Sequence, residues 1–189
     1  GTAFTAGSDP TNATSRYPFI DAMGQNRAMY ISRTNATGAV AGELAAVYTD
    51  ATTNTTGLSI ADGTYTVTNR YNGSWTVSNE GTAVLASSYR VALLAPNTLY
   101  PQNGNARVIG ATAAISGTHQ NGTNTPGAQR IDVTQADLLA GPLHIGIAND
   151  DIPFLSIASG DWNATSTWNK GTLPTCDDSV TIAAGHNVT

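Results

Sequence analysis

The chain has 189 residues, of which only 11% are charged, and carries a formal net charge of −5 at pH 7. That is less than half the roughly 25% charge of an average soluble protein, so Thr, Asn, Ser and Gly must supply the polar surface. Seven of the eight cations are arginines scattered singly between Arg16 and Arg130, with Lys170 the eighth; with no basic stripe to meet phosphates or anionic lipid, nucleic-acid and membrane-surface binding are excluded as expectations.

Residues 1–16 are small and polar, with Asp9-Pro10 as a turn signal. They read as an N-terminal arm or linker, or a lightly held first strand. Short alternating runs follow. Met29 and Ile31 alternate with Ala28, Tyr30 and Ser32; Val40, Gly42, Leu44, Ala46 and Tyr48 fall on one face of the next run. Residues 64–68 and 74–78 flank Asn72-Gly73, a dipeptide that predicts a two-residue hairpin. Further strands are predicted over residues 82–95, 106–115, 129–133 and 143–148. Breaks fall at Asp62-Gly63, Asn79-Glu80-Gly81, Gln102-Asn103-Gly104 and Gln120-Asn121-Gly122. One helical turn is predicted after Thr134, which is placed to cap it with Asp137 three residues on.

Many short strands with turn chemistry between them predict an all-β chain, with an antiparallel β-sandwich of Ig-like or jelly-roll type over residues 17–149. Asn149-Asp150-Asp151-Ile152-Pro153 closes it, residues 150–158 read as a hinge, and residues 159–189 open a second, truncated β-module. The longest apolar runs, such as Val91-Ala92-Leu93-Leu94-Ala95, are too short to insert into a bilayer. Gly1 follows no leader segment, and the chain reads as a mature or excised fragment.

The second module carries a pattern: Gly160 and Trp162, Thr167 and Trp168, Gly171, Pro174, Asp178, Val180, Ile182 and Gly185 in order. It resembles a module of large modular surface adhesins and filament proteins of bacteria, secreted by the type IX route, in which an alternating strand begins a β-helix or sandwich. The match covers about one sixth of the chain. Tyr17-Pro18-Phe19 through Tyr30 loosely resembles the opening of the sandwich domains that alternate with those modules, although Ile20-Asp21-Ala22-Met23 intervenes before Gly24. The resemblance implies an extracellular, cell-surface setting and an inter-module disulfide for Cys176, with its partner outside the chain. Read from residues alone, this single cysteine is a free thiol or half of such a bond.

No constellation for covalent chemistry is legible. His119, His144 and His186 lie far apart, without zinc spacing, and each reads as a packed or surface residue, His144 facing outward from its strand. Asp150-Asp151 and Asp177-Asp178 are carboxylate pairs. As neighbours they cannot face each other across a glycosidic bond. They are candidate calcium ligands on inter-domain loops, against the plainer reading of turn residues. Trp75 and Tyr71, with Tyr65 and Tyr89 nearby, are candidates for a sugar-stacking platform or for core between sheets. Seven Asn-x-Ser/Thr sequons begin at Asn12, Asn35, Asn54, Asn72, Asn121, Asn163 and Asn187.

The expected role is therefore a non-catalytic extracellular structural or adhesive module. It would use no cofactor unless calcium, and its partners would be neighbouring modules, copies of itself or surface glycans. Assembly is expected by strand addition, with an uncharged stretch in residues 1–14 (Asp9 aside) as donor. The alternative is a carbohydrate-binding module of a secreted polysaccharide-active enzyme.

Overall fold

The computed structural model describes residues 2–3, 16–34, 43–80, 88–94, 104–120 and 127–189. Over them the chain is all-β, with one α-helix of five residues. It divides into two compact units, Gly1–Asn149 and Asp150–Thr189.

In the first unit the strands, numbered along the chain, form three larger antiparallel sheets and a hairpin. One sheet has the order β1-β4-β9, from Thr2–Ala3, Glu43–Thr49 and Ser74–Asn79. The second runs β12-β13-β10-β3-β2, from Thr118–Gln120, Ala128–Thr134, Ser88–Leu93, Met29–Arg33 and Arg16–Tyr17. The third runs β11-β14-β8-β5, from Arg107–Ile109, His144–Ile147, Asn69–Tyr71 and Asn54–Thr55. The hairpin pairs β6 (Ile60–Asp62) with β7 (Tyr65–Val67). Its two-residue turn begins at Gly63, whose φ of +65° is the left-handed geometry that such a turn needs and glycine allows without strain.

Alternation fixes what each strand buries. Met29 and Ile31 of β3, Leu44 of β4, Trp75 and Val77 of β9 and Val91 of β10 are all interior. An aromatic row runs through this core. Phe19 lies 6.5 Å from Tyr17 and 6.2 Å from Tyr48, and Trp75 lies 5.1 Å from Tyr48 and 6.4 Å from Tyr71. Trp75 is fully buried and its indole N–H donates to the Arg27 carbonyl at 2.7 Å. Burying a side chain of that size removes roughly 150–250 Å² from water, on the order of 4–6 kcal/mol.

The expected helical turn is present as α1 (Gln135–Leu139), with Thr134 capping through its hydroxyl, which accepts from the Asp137 N–H at 3.2 Å. Other expectations are corrected. Asn72-Gly73 is not a hairpin turn: β8 and β9 lie in different sheets, and the dipeptide is a corner between them. The strand predicted over residues 106–115 stops at Ile109, and residues 110–117 form an irregular loop. His144 does not face outward. β14 sits between β11 and β8 with all four of its residues buried. Residues 1 and 4–15 of the predicted arm and donor stretch, and residues 39–42, 82–87 and 95 of the predicted strands, lie outside the described residues.

The second unit pairs β15 (Phe154–Leu155) with β16 (Val180–Thr181) in parallel, and the bridge Gly160↔Val188 extends that direction. On its other side the first segment meets Trp168 through an antiparallel bridge from Ser156. Phe154 and Trp168 form the core, ring edge to ring face at 6.1 Å, and Trp162 packs on Trp168 at 4.9 Å. Its tryptophan and glycine spacing thus has a packing role. A Cβ on Gly160 would sit 2.9 Å from the Thr167 hydroxyl, and that hydroxyl donates to the Asp161 carbonyl at 2.9 Å. Trp168 donates its indole N–H to the Trp162 carbonyl at 2.9 Å.

Candidate functional site

The most elaborate polar centre is built on Arg130 of β13, whose side chain is 3% exposed. It grips Asp62 with two parallel bonds of 2.9 and 2.8 Å and donates to the carbonyls of Ile115, Ser116 and Gly117 at 2.8, 2.8 and 3.0 Å. Arg107 approaches the same carboxylate at 3.3 Å and lies over the Tyr65 ring at 4.1 Å. Each of the three nitrogens of the Arg130 guanidinium therefore meets protein oxygen, as a planar fork of donors favours. The loop of residues 110–117 has no regular ladder of its own. Side chains hold it instead: Arg130, the Asp137 carboxylate accepting from the Ser116 N–H at 2.9 Å, and Arg70 donating to the Ala111 carbonyl.

A bulge aims this arginine. Between the pairs Tyr89↔Val133 and Val91↔Arg130, two residues of β13 oppose one of β10, and Asp132 takes a left-handed φ of 57°. The alternation of β13 shifts there, so that Arg130 and Val133 are both interior. The Arg130 guanidinium holds the Asp62 carboxyl below the usual carboxylate range.

A second centre joins Tyr71, Tyr48, Asp50 and His144. The Tyr71 hydroxyl donates to the Ala51 carbonyl at 2.8 Å and lies 2.8 Å from the Tyr48 hydroxyl, which also reaches Asp50 at 3.0 Å. Burial, foremost, and these neighbours push the Tyr48 phenol up. His144 places Nδ1 3.0 Å from the Tyr71 carbonyl and 3.2 Å from that of Gly73. Burial, and next the nearby Arg70 charge, press its pKa below the ordinary 6.5.

These shifts give a pH dependence with a definite sign. A buried imidazole that resists protonation lets the unfolded chain bind more protons below pH 6.5, so stability is full above that pH and falls as pH falls toward the folded-state value. The lowered Asp62 and Asp137 carboxyls act likewise below 3.8, their contribution being lost as pH falls through their folded-state values. The urea midpoint should thus decline in two steps, one starting near pH 6.5 and one near 4. His144→Asn, which keeps a donor for the Tyr71 carbonyl, should remove only the first. An unchanged first step in that variant would refute this assignment.

In the second unit Ser156 and His186 meet, with Oγ and Nδ1 2.9 Å apart, a pair that their 30-residue separation hid in the sequence. It has a nucleophile–base look but not the access. Ser156 is 1% exposed and its oxygen already accepts from the Ala183 N–H at 2.8 Å, so the pair braces the turn around residues 183–186.

The sequence-derived candidates fare as follows. Trp75 and Tyr71 are both fully buried, covered by Tyr48 and by each other, so neither offers a face to a sugar ring; alternation sets each on one side of its own strand without telling which side is covered. Asp150 and Asp151 lie in a single 3-10 turn, Asn149–Asp151, and Asp177 is exposed. Asp178 binds the Thr175 N–H and hydroxyl at 2.7 and 2.8 Å, and the first of these bonds holds its carboxyl below the usual range. Among the described residues no three acidic, His or Cys side chains come together in a way that could hold a metal ion. Cys176 is an exposed free thiol. Of the sequons, Asn54, Asn163 and Asn187 are exposed, whereas Asn72 spends its amide on the Thr53 hydroxyl at 2.9 Å; Asn12, Asn35 and Asn121 lie outside the described residues.

The remaining feature is an edge. β4 pairs with β9 over six residues, Leu44↔Asn79 to Thr49↔Ser74, but with β1 over only two, Thr2↔Leu44 and Ala3↔Glu43. Beyond Leu44 the outer side of β4 has no strand partner among the described residues, and Val47 is 61% exposed there. An open edge of this kind presents a row of backbone donors and acceptors to any extended segment. Comparison of the chain with protein-family models, characterised proteins and solved structures finds no match.

Proposed function

We propose that the chain is a non-catalytic structural or adhesive module of a large extracellular, cell-surface protein or fibre. In this reading the Gly1–Asn149 unit is a β-sandwich-type module followed by a second β-module, and neighbouring copies join by strand addition. The observation that carries the reading is the two-residue hold of β1 on a sheet edge that has no further strand partner among the described residues. Two residues make only a few backbone bonds, each worth about 1 kcal/mol net, so β1 is held weakly and is exchangeable. The sparse charge and Thr/Asn-rich surface support an exterior setting, since such a surface stays soluble without many ion pairs.

The test is sedimentation equilibrium on the whole chain and on one lacking residues 1–14. Concentration-dependent association is expected for the first and is lost in the second, while the circular dichroism spectrum and melting midpoint change little. Association that survives the deletion would overturn the donor role.

A further inference from the structure

We infer that the acceptor in this assembly is the outer edge of β4, and that the strand it takes is β1 of a second copy, in the register Thr2↔Leu44 and Ala3↔Glu43. This rests on the strand-addition reading above and adds to it a named acceptor, a named donor and a register.

The occupant is shown by the fold itself, because β1 already sits on β4 within one chain. Whatever makes that pairing favourable in one chain makes it favourable between two, since the same backbone groups meet in both. Exchange of an identical element between copies therefore carries no new enthalpic cost. The geometry also permits it. Twelve residues, 4–15, separate β1 from β2, and a chain of that length spans up to roughly 40 Å when extended. A neighbour's β4 is thus within reach while β2 keeps its place beside β3.

The covalent connection from β1 to β2 opposes exchange. A connection of about a dozen residues holds its own strand at an effective concentration in the millimolar range, so a neighbour's strand competes once copies approach that concentration or are fixed side by side on a surface. The expected behaviour is a monomer in dilute solution and strand-exchanged species near 1 mM, the range set by that tether.

Cysteine pairing across the register tests this. Antiparallel partners lie about 4.5–5.5 Å apart at Cα, within the span of a disulfide. One chain carries Ala3→Cys and Cys176→Ser; the other carries Glu43→Cys and Cys176→Ser. Mixed near 1 mM and oxidised, they should give a hetero-disulfide dimer at least about tenfold more abundant than the dimer from Glu43→Cys, Cys176→Ser mixed with the unsubstituted chain, whose exposed Cys176 reports chance collision. A single chain bearing Ala3→Cys, Glu43→Cys and Cys176→Ser should close internally when dilute. Failure of that closure would mean that the register is wrong, and a mixed dimer no more abundant than the collision control would mean that β4 is not the acceptor. Either result overturns the inference. If the whole chain still associates in the centrifuge while the mixed dimer is missing, strand addition stands and only the β4 assignment falls; if nothing associates, both fall.

Discussion

Replacing Arg130 with methionine should cost the Gly1–Asn149 unit about 3–5 kcal/mol, the usual penalty for removing one partner of a buried ion pair. Methionine fills much of the volume but donates nothing. Asp62 would keep only the 3.3 Å approach of Arg107, and the carbonyls of Ile115, Ser116 and Gly117 would lose a shared donor. Since a domain of this size is stable by about 5–15 kcal/mol, urea denaturation should show the midpoint falling by about a fifth or more. Asp62→Leu combined with Arg130→Met should recover part of the loss, because the buried carboxylate goes together with its main partner, while Arg107 keeps its place over the Tyr65 ring. A single-variant cost below about 1 kcal/mol would mean that the loop of residues 110–117 is held by something else.

Gly73→Ala should be nearly as damaging, for a steric reason. The added Cβ would lie 2.3 Å from Cε1 and 2.4 Å from Cζ of the Tyr71 ring. The ring has no space to leave by: it is fully buried, packed on Trp75, and held through its hydroxyl to Ala51. Nor is the backbone free to retreat, since the carbonyls of Tyr71 and Gly73 share His144 Nδ1. Overpacking of this kind costs about 1–3 kcal/mol, and the fixed ring puts the expected value at the upper end. Tyr71→Leu removes the atoms that the Cβ meets, so the double variant should be less destabilised than the sum of the two singles. Additive losses would count against the clash as the cause.

These two sites also mark where the sequence stopped being informative. Period-two runs located β3, β4, β9, β13 and β14, and the Thr134–Asp137 cap was legible because both ends of it lie within one turn. Asn72-Gly73 misled because its corner is decided by Tyr71 folding beneath the glycine and by His144, more than 70 residues away. The Asp62–Arg130 pair spans 68 residues and has no local signature. Asp62-Gly63 was read as a break, which it is, but the carboxylate at its head also has a distant partner. Face was the other missing quantity. Alternation set Trp75 and His144 on definite sides of their strands, yet only the packing of neighbouring sheets decides whether a side is wet.

The way the few cations are spent has an outcome for proteolysis. Arg27 and Arg130 are interior, Arg33, Arg70, Arg90, Arg107 and Lys170 are partly or largely covered, and Arg16 is the one exposed. A digestive enzyme that cuts after basic residues needs an accessible, locally unfolded segment around the bond. The bond after the most exposed of these cations, Arg16–Tyr17, lies within β2 and is paired with Tyr30 and Met29 of β3, so it opens to cleavage only when that two-residue edge strand lets go.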